Sequence, residues 1–206
     1  VRNCWLSEYY QTRLHMCHVS TRGALDAIQM AKLRGAPVTC EVTPHHLWFT
    51  NDTCDYRVNP PIRTADDVQA LIDGIRSGVV DAIATDHAPH SAEEKARPLT
   101  RAPSGMVGLE TSLALTLTGL YHSGKMELPD IIRRMSTNPA DILHLPKGRM
   151  SMGVAADLTI FDPDQEWTID PEQFASKGRN TPFAGKTVKG RVKYTIVDGQ
   201  IVYQDE

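Results

Sequence analysis

An acid and several histidines stand where apolar segments of this sequence end. In the clearest case, the stretch Asp81–His90, an apolar run leads into Asp86 and then, past Pro89, into His90. The run predicts a buried strand of a parallel sheet, and Pro89 ends it because proline cannot continue the hydrogen-bonded ladder. Ligands of α/β proteins bind at the carboxyl ends of such strands. A carboxylate and an imidazole presented there can bind metal or move protons.

Two earlier segments end in the same way. Residues 13–20 predict a short strand that delivers His18, and residues 38–43 predict a strand that leads into His45 and His46. Neutral imidazole and carboxylate are good zinc ligands, so three polar strand ends favour a metal or acid–base site. A structural role is the alternative for each histidine, and capping of the strand end explains the adjacent pair equally well.

Two loop segments are candidates for contacts with a ligand. The backbone at Asn59 is fixed by the two prolines that follow it, which fits either a side-chain donor held toward a substrate or a turn asparagine. Ser104 and Gly105 lie in a polar stretch, residues 91–107, that is long enough to suggest a lid. Because glycine permits close approach, the backbone N–H groups of this segment can reach a ligand.

The elements that must hold these residues alternate along the chain. Helices capped by Ser20 or Thr21 and by Thr64 separate the three predicted strands, and Gly35 and Gly78 end them. Such alternation predicts parallel strands joined by right-handed crossovers, and therefore an α/β fold.

The character of the sequence changes near Lys147. Helical patterns precede this point, whereas residues 156–203 predict short strands, with Asp198-Gly199 as a hairpin turn between alternating apolar runs. We therefore predict an α/β part at residues 1–147 and a small β part at residues 148–206.

Composition excludes several classes of protein. The 206 residues carry a net charge of -3, which gives no reason to expect a nucleic acid or an anionic membrane as partner. No apolar run is long enough for a transmembrane helix, and we find no signal peptide. The four cysteines show no paired spacing, which is typical of reduced thiols in a cytoplasmic protein. We expect Cys17, which alternates with His18, to be buried and inert.

Five segments, in this order, resemble the class I dihydroorotases of the amidohydrolase superfamily. They are His15–Thr21, Glu41–Leu47, Asn59–Arg63, Asp86–His90 and Pro103–Thr111. The later Gly153–Leu158 is similar to the strand by which that superfamily re-enters its small β domain. The resemblance implies the C-terminal portion of a (β/α)8 TIM barrel, strands six to eight, with part of a small β-sandwich domain.

The resemblance also implies an activity and a set of roles. Dihydroorotases interconvert N-carbamoyl-L-aspartate and L-dihydroorotate at a zinc centre, usually of two Zn2+ ions. His18 matches the zinc ligand of the sixth strand, and Asp86 matches the eighth-strand ligand that also acts as general base and acid. Asn59, His90 and the Ser104-Gly105 segment match substrate-binding positions, although the family often has a bulkier, aromatic residue at Ser104.

Other parts of the family's site have no counterpart here. The first-strand His-x-His pair, the bridging acid or carbamylated lysine of the fourth strand and the fifth-strand histidine would precede Val1. We therefore expect a piece of a longer enzyme, inactive alone, that forms a homo-oligomer or joins a partner such as aspartate carbamoyltransferase. The alternatives are an allantoinase or dihydropyrimidinase, and a non-catalytic dihydroorotase-like subunit.

Overall fold

The computed structural model describes residues 1–205, which form two compact units. Unit one contains Val1–Ser112 together with Pro171–Pro182, and unit two contains Leu113–Asp170 and the chain from Phe183 onward. None of the described helices is both long and apolar enough to cross a membrane. The domain boundary expected at residue 147 differs from this spatial division and stays a prediction about the complete fold.

Unit one is built on a small parallel sheet. Its strands are β1 (Leu14–Met16), β2 (Val38–Val42) and β3 (Ala82–Ile83), in that spatial order, and its helices are α1 (Arg2–Tyr10), α2 (Arg22–Leu33), α3 (Pro44–Trp48), α4 (Ala65–Ser77) and α5 (Ala92–Lys95). Leu14 pairs with Val38, and Glu41 pairs with Ala82, both in parallel register. The predicted alternation of strand and helix, and the parallel sheet that follows from it, are confirmed.

Helices α2 and α4 of this unit begin and end largely at the predicted capping residues. Thr21 and Thr64 each accept a hydrogen bond from a backbone N–H in the first turn of α2 and α4, and Gly78 ends α4 in the left-handed conformation. The core face of α2 is buried at Leu25, Ile28 and Ala31, as predicted, but Leu33 is 75% exposed. Helix α2 and helix α4 therefore hold the sheet that presents the candidate site.

Unit two combines helical segments with an antiparallel sheet. Its α-helices are α6 (Ser112–Thr116), α7 (Leu128–Ile132) and α8 (Asn138–Ile142), and π-helical segments lie at Leu117–Tyr121 and Arg133–Thr137. Its strands are β4 (Leu158–Thr168), β5 (Thr187–Val197) and β6 (Gln200–Gln204). Asp198 and Gly199 have φ values of 49° and 77°, as a type I′ hairpin turn requires. The predicted hairpin is confirmed by the antiparallel pairing of β5 and β6.

Asp205 anchors one end of this antiparallel sheet. Its carboxylate accepts hydrogen bonds from Arg191 and Lys193 of β5. These hydrogen bonds, of which the one from Arg191 has the largest effect, lower the pKa of Asp205 from 3.8 to about 2. The folded state therefore keeps this carboxylate ionised at pH values where the unfolded chain takes up a proton.

We expect Asp205→Asn to destabilise the protein by roughly 1 kcal/mol at neutral pH, since solvent screens this pair. The difference from wild type should shrink as the pH falls below about 4 and vanish below about 2, where the folded wild-type carboxylate is protonated as well. Thermal unfolding at about pH 7 and at about pH 1 measures both values. An equal loss at the two pH values would contradict the assignment.

Candidate functional site

His18 and Asp86 each stand just beyond a strand of the parallel sheet, in an unusual backbone conformation. Their φ values are 40° and 48°, in the left-handed region that non-glycine residues rarely adopt. Such a residue costs about 1–3 kcal/mol and persists only where the surrounding structure enforces it. In this sheet the ends of the two outer strands, β1 and β3, bear that cost at the residues that the sequence singles out.

His45 joins this pair, although the sequence analysis left its role open. It lies in the first turn of α3, is 2% exposed, and places Nε2 3.9 Å from Oδ2 of Asp86. Among the described residues, buried His45 Nε2 and His18 Nδ1 have no hydrogen-bond partner. Burial, followed by His46 and His18, lowers the pKa of His45 to about 3. His45 therefore faces Asp86 as a neutral imidazole.

The Asp86 carboxyl group is more basic than an ordinary aspartate. Burial raises its pKa, nearby Glu41 raises it further, and His18 opposes both. A raised pKa makes a carboxylate a better proton acceptor near neutral pH.

His18, His45 and Asp86 have the side-chain types that bind zinc, although their ligand atoms do not all lie within 4.8 Å of one another. Imidazole nitrogens and a carboxylate oxygen form a donor set that suits zinc, and a buried ring nitrogen without a partner is costly unless something occupies it. His18 Nδ1 and His45 Nε2 are two such atoms. The described chain thus offers part of a metal centre, because one zinc ion needs about four ligands.

His46 has a different role from its neighbour. Its Nδ1 lies 2.7 Å from Oγ1 of Thr43, and its Nε2 lies 2.9 Å from the carbonyl oxygen of Pro60. Since a carbonyl only accepts, Nε2 carries the proton and Nδ1 accepts from the threonine hydroxyl. The imidazole of His46 therefore has a structural role, because it fixes the segment that follows Asn59 through its hydrogen bond to Pro60.

Asn59 and Ser104, both predicted to bind substrate, line one open cavity of about 440 Å³. Asn59 is exposed, so its side-chain amide is accessible. The Ser104 hydroxyl accepts a hydrogen bond from Nε of Arg57, which ties the two walls together. The cavity is therefore formed by the segment around Asn59 and by the loop after β3.

Lys95 holds these two walls in place. Its ammonium group donates to the carbonyl oxygens of Arg57, Pro103 and Gly105, at 3.3, 3.0 and 3.1 Å. It also lies 4.0 Å above the ring of Tyr56. Burial, and then repulsion by Arg57, lowers the pKa of Lys95. A lysine ending a short charged helix is thus a structural anchor of the loop that contains Ser104.

His90 and Asn180 fix the loop that follows Asp86. His90 Nε2 lies 3.0 Å from the carbonyl oxygen of Ser104 and donates to it. The Asn180 carboxamide accepts from the His90 backbone N–H and donates to the carbonyl oxygens of Ala88 and Gly105. No pattern in the sequence pointed to Asn180, because a single asparagine ninety residues downstream carries no local signal.

Gly105 sits where no side chain fits. Its φ is 126°, and a Cβ built there would lie 2.4 Å from Cβ of Ala88. The sequence predicted that glycine here allows a ligand to approach the backbone closely. In the structure it is Ala88 of the same chain that approaches Gly105 closely.

We expect Gly105→Ala to destabilise the protein by about 3 kcal/mol, since it adds both backbone strain and a rigid clash. Gly35 is the matched control, because its φ is 83° but a Cβ there meets nothing within 4 Å. Gly35→Ala should cost only about 1 kcal/mol. Urea unfolding of both variants separates the clash from the strain, and equal losses would show that the clash relaxes freely.

Comparison with known proteins agrees with this geometry. The sequence model of the Amidohydrolase family matches residues 5–202. The dihydroorotases of Wolbachia sp. subsp. Brugia malayi (strain TRS) and of Geobacter metallireducens are 48% and 45% identical to the chain, over 93% and 98% of it and over 44% and 49% of their own length. The chain thus spans about half the length of these curated relatives.

Solved structures give the same result for the fold. The L-hydantoinase (dihydropyrimidinase) from Arthrobacter aurescens superposes with a TM-score of 0.93 at 32% identity, covering 98% of this chain and 47% of that one. The dihydropyrimidinase from Brevibacillus agri NCHU1002 superposes with a TM-score of 0.90 at 26% identity, over 98% and 47%. With its family match extending over nearly all of its length, the chain belongs to the amidohydrolase family.

Proposed function

We propose that this chain supplies part of the active site of a zinc-dependent dihydroorotase. The observation that carries the proposal is the pair His18 and Asp86, held at positive φ after the two outer strands of the parallel sheet, with buried ring nitrogens of His18 and His45 that have no hydrogen-bond partner. The identity to dihydroorotases over nearly the whole chain supports this substrate. In the complete fold the three strands would be strands six to eight of a (β/α)8 barrel.

The proposed roles follow from the positions of the side chains. His18 and Asp86 would hold zinc, which when bound supplies a water of lowered pKa and polarises the scissile carbonyl. Asp86 would take a proton on a carboxylate oxygen and deliver it to the leaving amide nitrogen, as its raised pKa favours.

Substrate recognition would fall to the cavity and the loop. Asn59 would bind an amide edge of the ring from the wall of the cavity that Ser104 also lines. The backbone N–H of Gly105, which was predicted to reach a ligand, donates instead to the carbonyl oxygen of Arg57. His90 Nε2 is engaged by Ser104, and its Nδ1 lies 3.9 Å from the Glu94 carboxylate, beyond hydrogen-bond distance. We propose that His90 faces the substrate's carboxylate; because Nε2 already donates to Ser104, Nδ1 donates to that carboxylate only in the doubly protonated ring.

A second candidate is hydrolysis of a cyclic amide without a carboxylate. The superposition on a hydantoinase over 98% of the chain favours this reading. The donor at His90 favours dihydroorotate instead, because a hydantoin or a dihydropyrimidine does not need it.

Reconstitution tests the proposal. We expect the chain alone to be inactive, as it offers too few ligands for zinc, and to gain dihydroorotate hydrolysis when co-expressed with the portion of the Geobacter metallireducens dihydroorotase outside the match. Asp86→Asn in the same mixture should lower turnover at least about 10³-fold. Faster turnover of dihydrouracil or allantoin would favour the second candidate. A mixture with full Asp86→Asn activity would refute the proposed roles.

A further inference from the structure

Three metal-binding side chains meet on the sheet outside the proposed zinc centre. A ring nitrogen of His15, the sulfur of Cys17 and a carboxylate oxygen of Glu41 all lie within 4.8 Å of one another. No other trio among residues 1–205 satisfies this condition. Cys17 is exposed, which corrects the expectation that it is buried and inert.

The register of the sheet explains why these groups converge. His15 pairs with Thr39 across β1 and β2, and Cys17 and Glu41 each follow two residues further along the chain. Since side chains alternate along a strand, residues two apart project from the same face. The convergence is thus set by the backbone rather than by one rotamer.

The imidazole of His15 is already oriented as metal-bound histidines are. Its Nδ1 lies 2.7 Å from Oγ1 of Thr39, and its Nε2 points at Oε2 of Glu41, 3.1 Å away. Metal-binding histidines characteristically engage the second ring nitrogen in such a bond, which fixes the ring. The side chains of His15 and Glu41 remain 27% and 19% exposed, so an ion can enter from solvent.

We propose that His15, Cys17 and Glu41 form a second transition-metal site, suited to Zn2+ or Co2+, that lies beside the proposed zinc centre and shares none of its ligands. Ligand atoms of one tetrahedral zinc lie roughly 3.3–3.8 Å apart, so the observed spacing closes with shifts of about 1 Å. The ion displaces the thiol proton and replaces the contact between His15 and Glu41. Nitrogen, sulfur and oxygen leave a fourth position for water.

Titration of the chain with Co2+ tests this site, because a thiolate ligand produces a near-ultraviolet charge-transfer band that a histidine–carboxylate site does not. We expect the band to saturate at one ion per chain, in a buffer whose reductant carries no thiol. Cys17→Ser should remove it, whereas Cys54→Ser, at the half-buried control thiol, should leave it unchanged. Thr39→Val should weaken Co2+ binding roughly 10-fold by freeing the imidazole.

His18→Asn separates this site from the proposed zinc centre. We expect the thiolate band to persist in that variant, whatever the reconstitution experiment gives. Absence of the band in the wild-type chain, or its survival in Cys17→Ser, would overturn the proposal. Loss of the band in His18→Asn would also overturn it, since Cys17 would then belong to the His18 centre.

Discussion

Lys95→Met is expected to loosen both walls of the candidate substrate cavity and to cost about 3 kcal/mol of unfolding free energy. The ammonium group donates to three backbone carbonyl oxygens, those of Arg57, Pro103 and Gly105. Methionine matches the length of lysine but donates no hydrogen bond, so all three carbonyls lose a charged donor. Those of Gly105 and Arg57 keep the bonds from Asn180 and from the Gly105 backbone N–H. The contact of the cation with Tyr56 is lost as well.

The effect should be local as well as global. Amide hydrogen exchange should rise in residues 96–105, and urea unfolding should give the change in stability. Lys177→Met is the matched control, because Lys177 lies in the same unit, is exposed, and loses the same charge. Lys95→Arg should recover only part of the stability, because the planar guanidinium of arginine cannot direct three donors from one atom. Equal unfolding free energies and equal amide exchange rates in the two methionine variants would refute the role of Lys95 as an anchor of the loop.

Local periodicity explains what could be predicted of the fold. Alternating strands and helices predicted the parallel sheet, and Asp198-Gly199 predicted the hairpin, because both signals lie within short stretches of chain. The pairing of β1 with β2 and of β5 with β6 follows from them. Trp5, Leu6, Tyr9 and Tyr10 have helical spacing, yet the residues that α1 buries are Cys4 and Ser7, since apolar spacing indicates a helix without fixing which face is covered.

In the candidate site, too, features with a local sequence signal could be predicted and contacts between distant segments could not. Strand ends predicted that His18 and Asp86 lie at the same edge of the sheet, because parallel strands deliver their carboxyl ends to one edge. The charged run Glu93-Glu94-Lys95 looks like a solvated loop in the sequence, but it belongs to α5, and Lys95 is partly buried against carbonyl groups. Charge in the sequence does not reveal which backbone acceptors distant segments bring near it. Asn180 was missed for the same reason.

His46→Leu is expected to destabilise the protein by about 3 kcal/mol at pH 7.5, because it leaves two buried polar groups without their partner. His46 is 2% exposed and bonds to Thr43 and to the carbonyl oxygen of Pro60. Burial lowers the pKa of His46 from 6.5 to about 4, so the folded protein holds this ring neutral. The unfolded chain binds the proton below pH 6.5.

The loss should therefore shrink as the pH falls. Between pH 6.5 and about 4 the unfolded state binds more protons, so the wild-type contribution of His46 is complete above pH 6.5 and declines toward pH 4. The difference between variant and wild type should narrow by about 2 kcal/mol between pH 7.5 and pH 5, a shift of order one to two pKa units. Urea unfolding across this range measures it, with His144→Asn, at an exposed histidine, as the control. A difference that stays constant with pH would mean that His46 has the same pKa in the folded and unfolded states, and would contradict the conclusion that burial keeps this ring neutral.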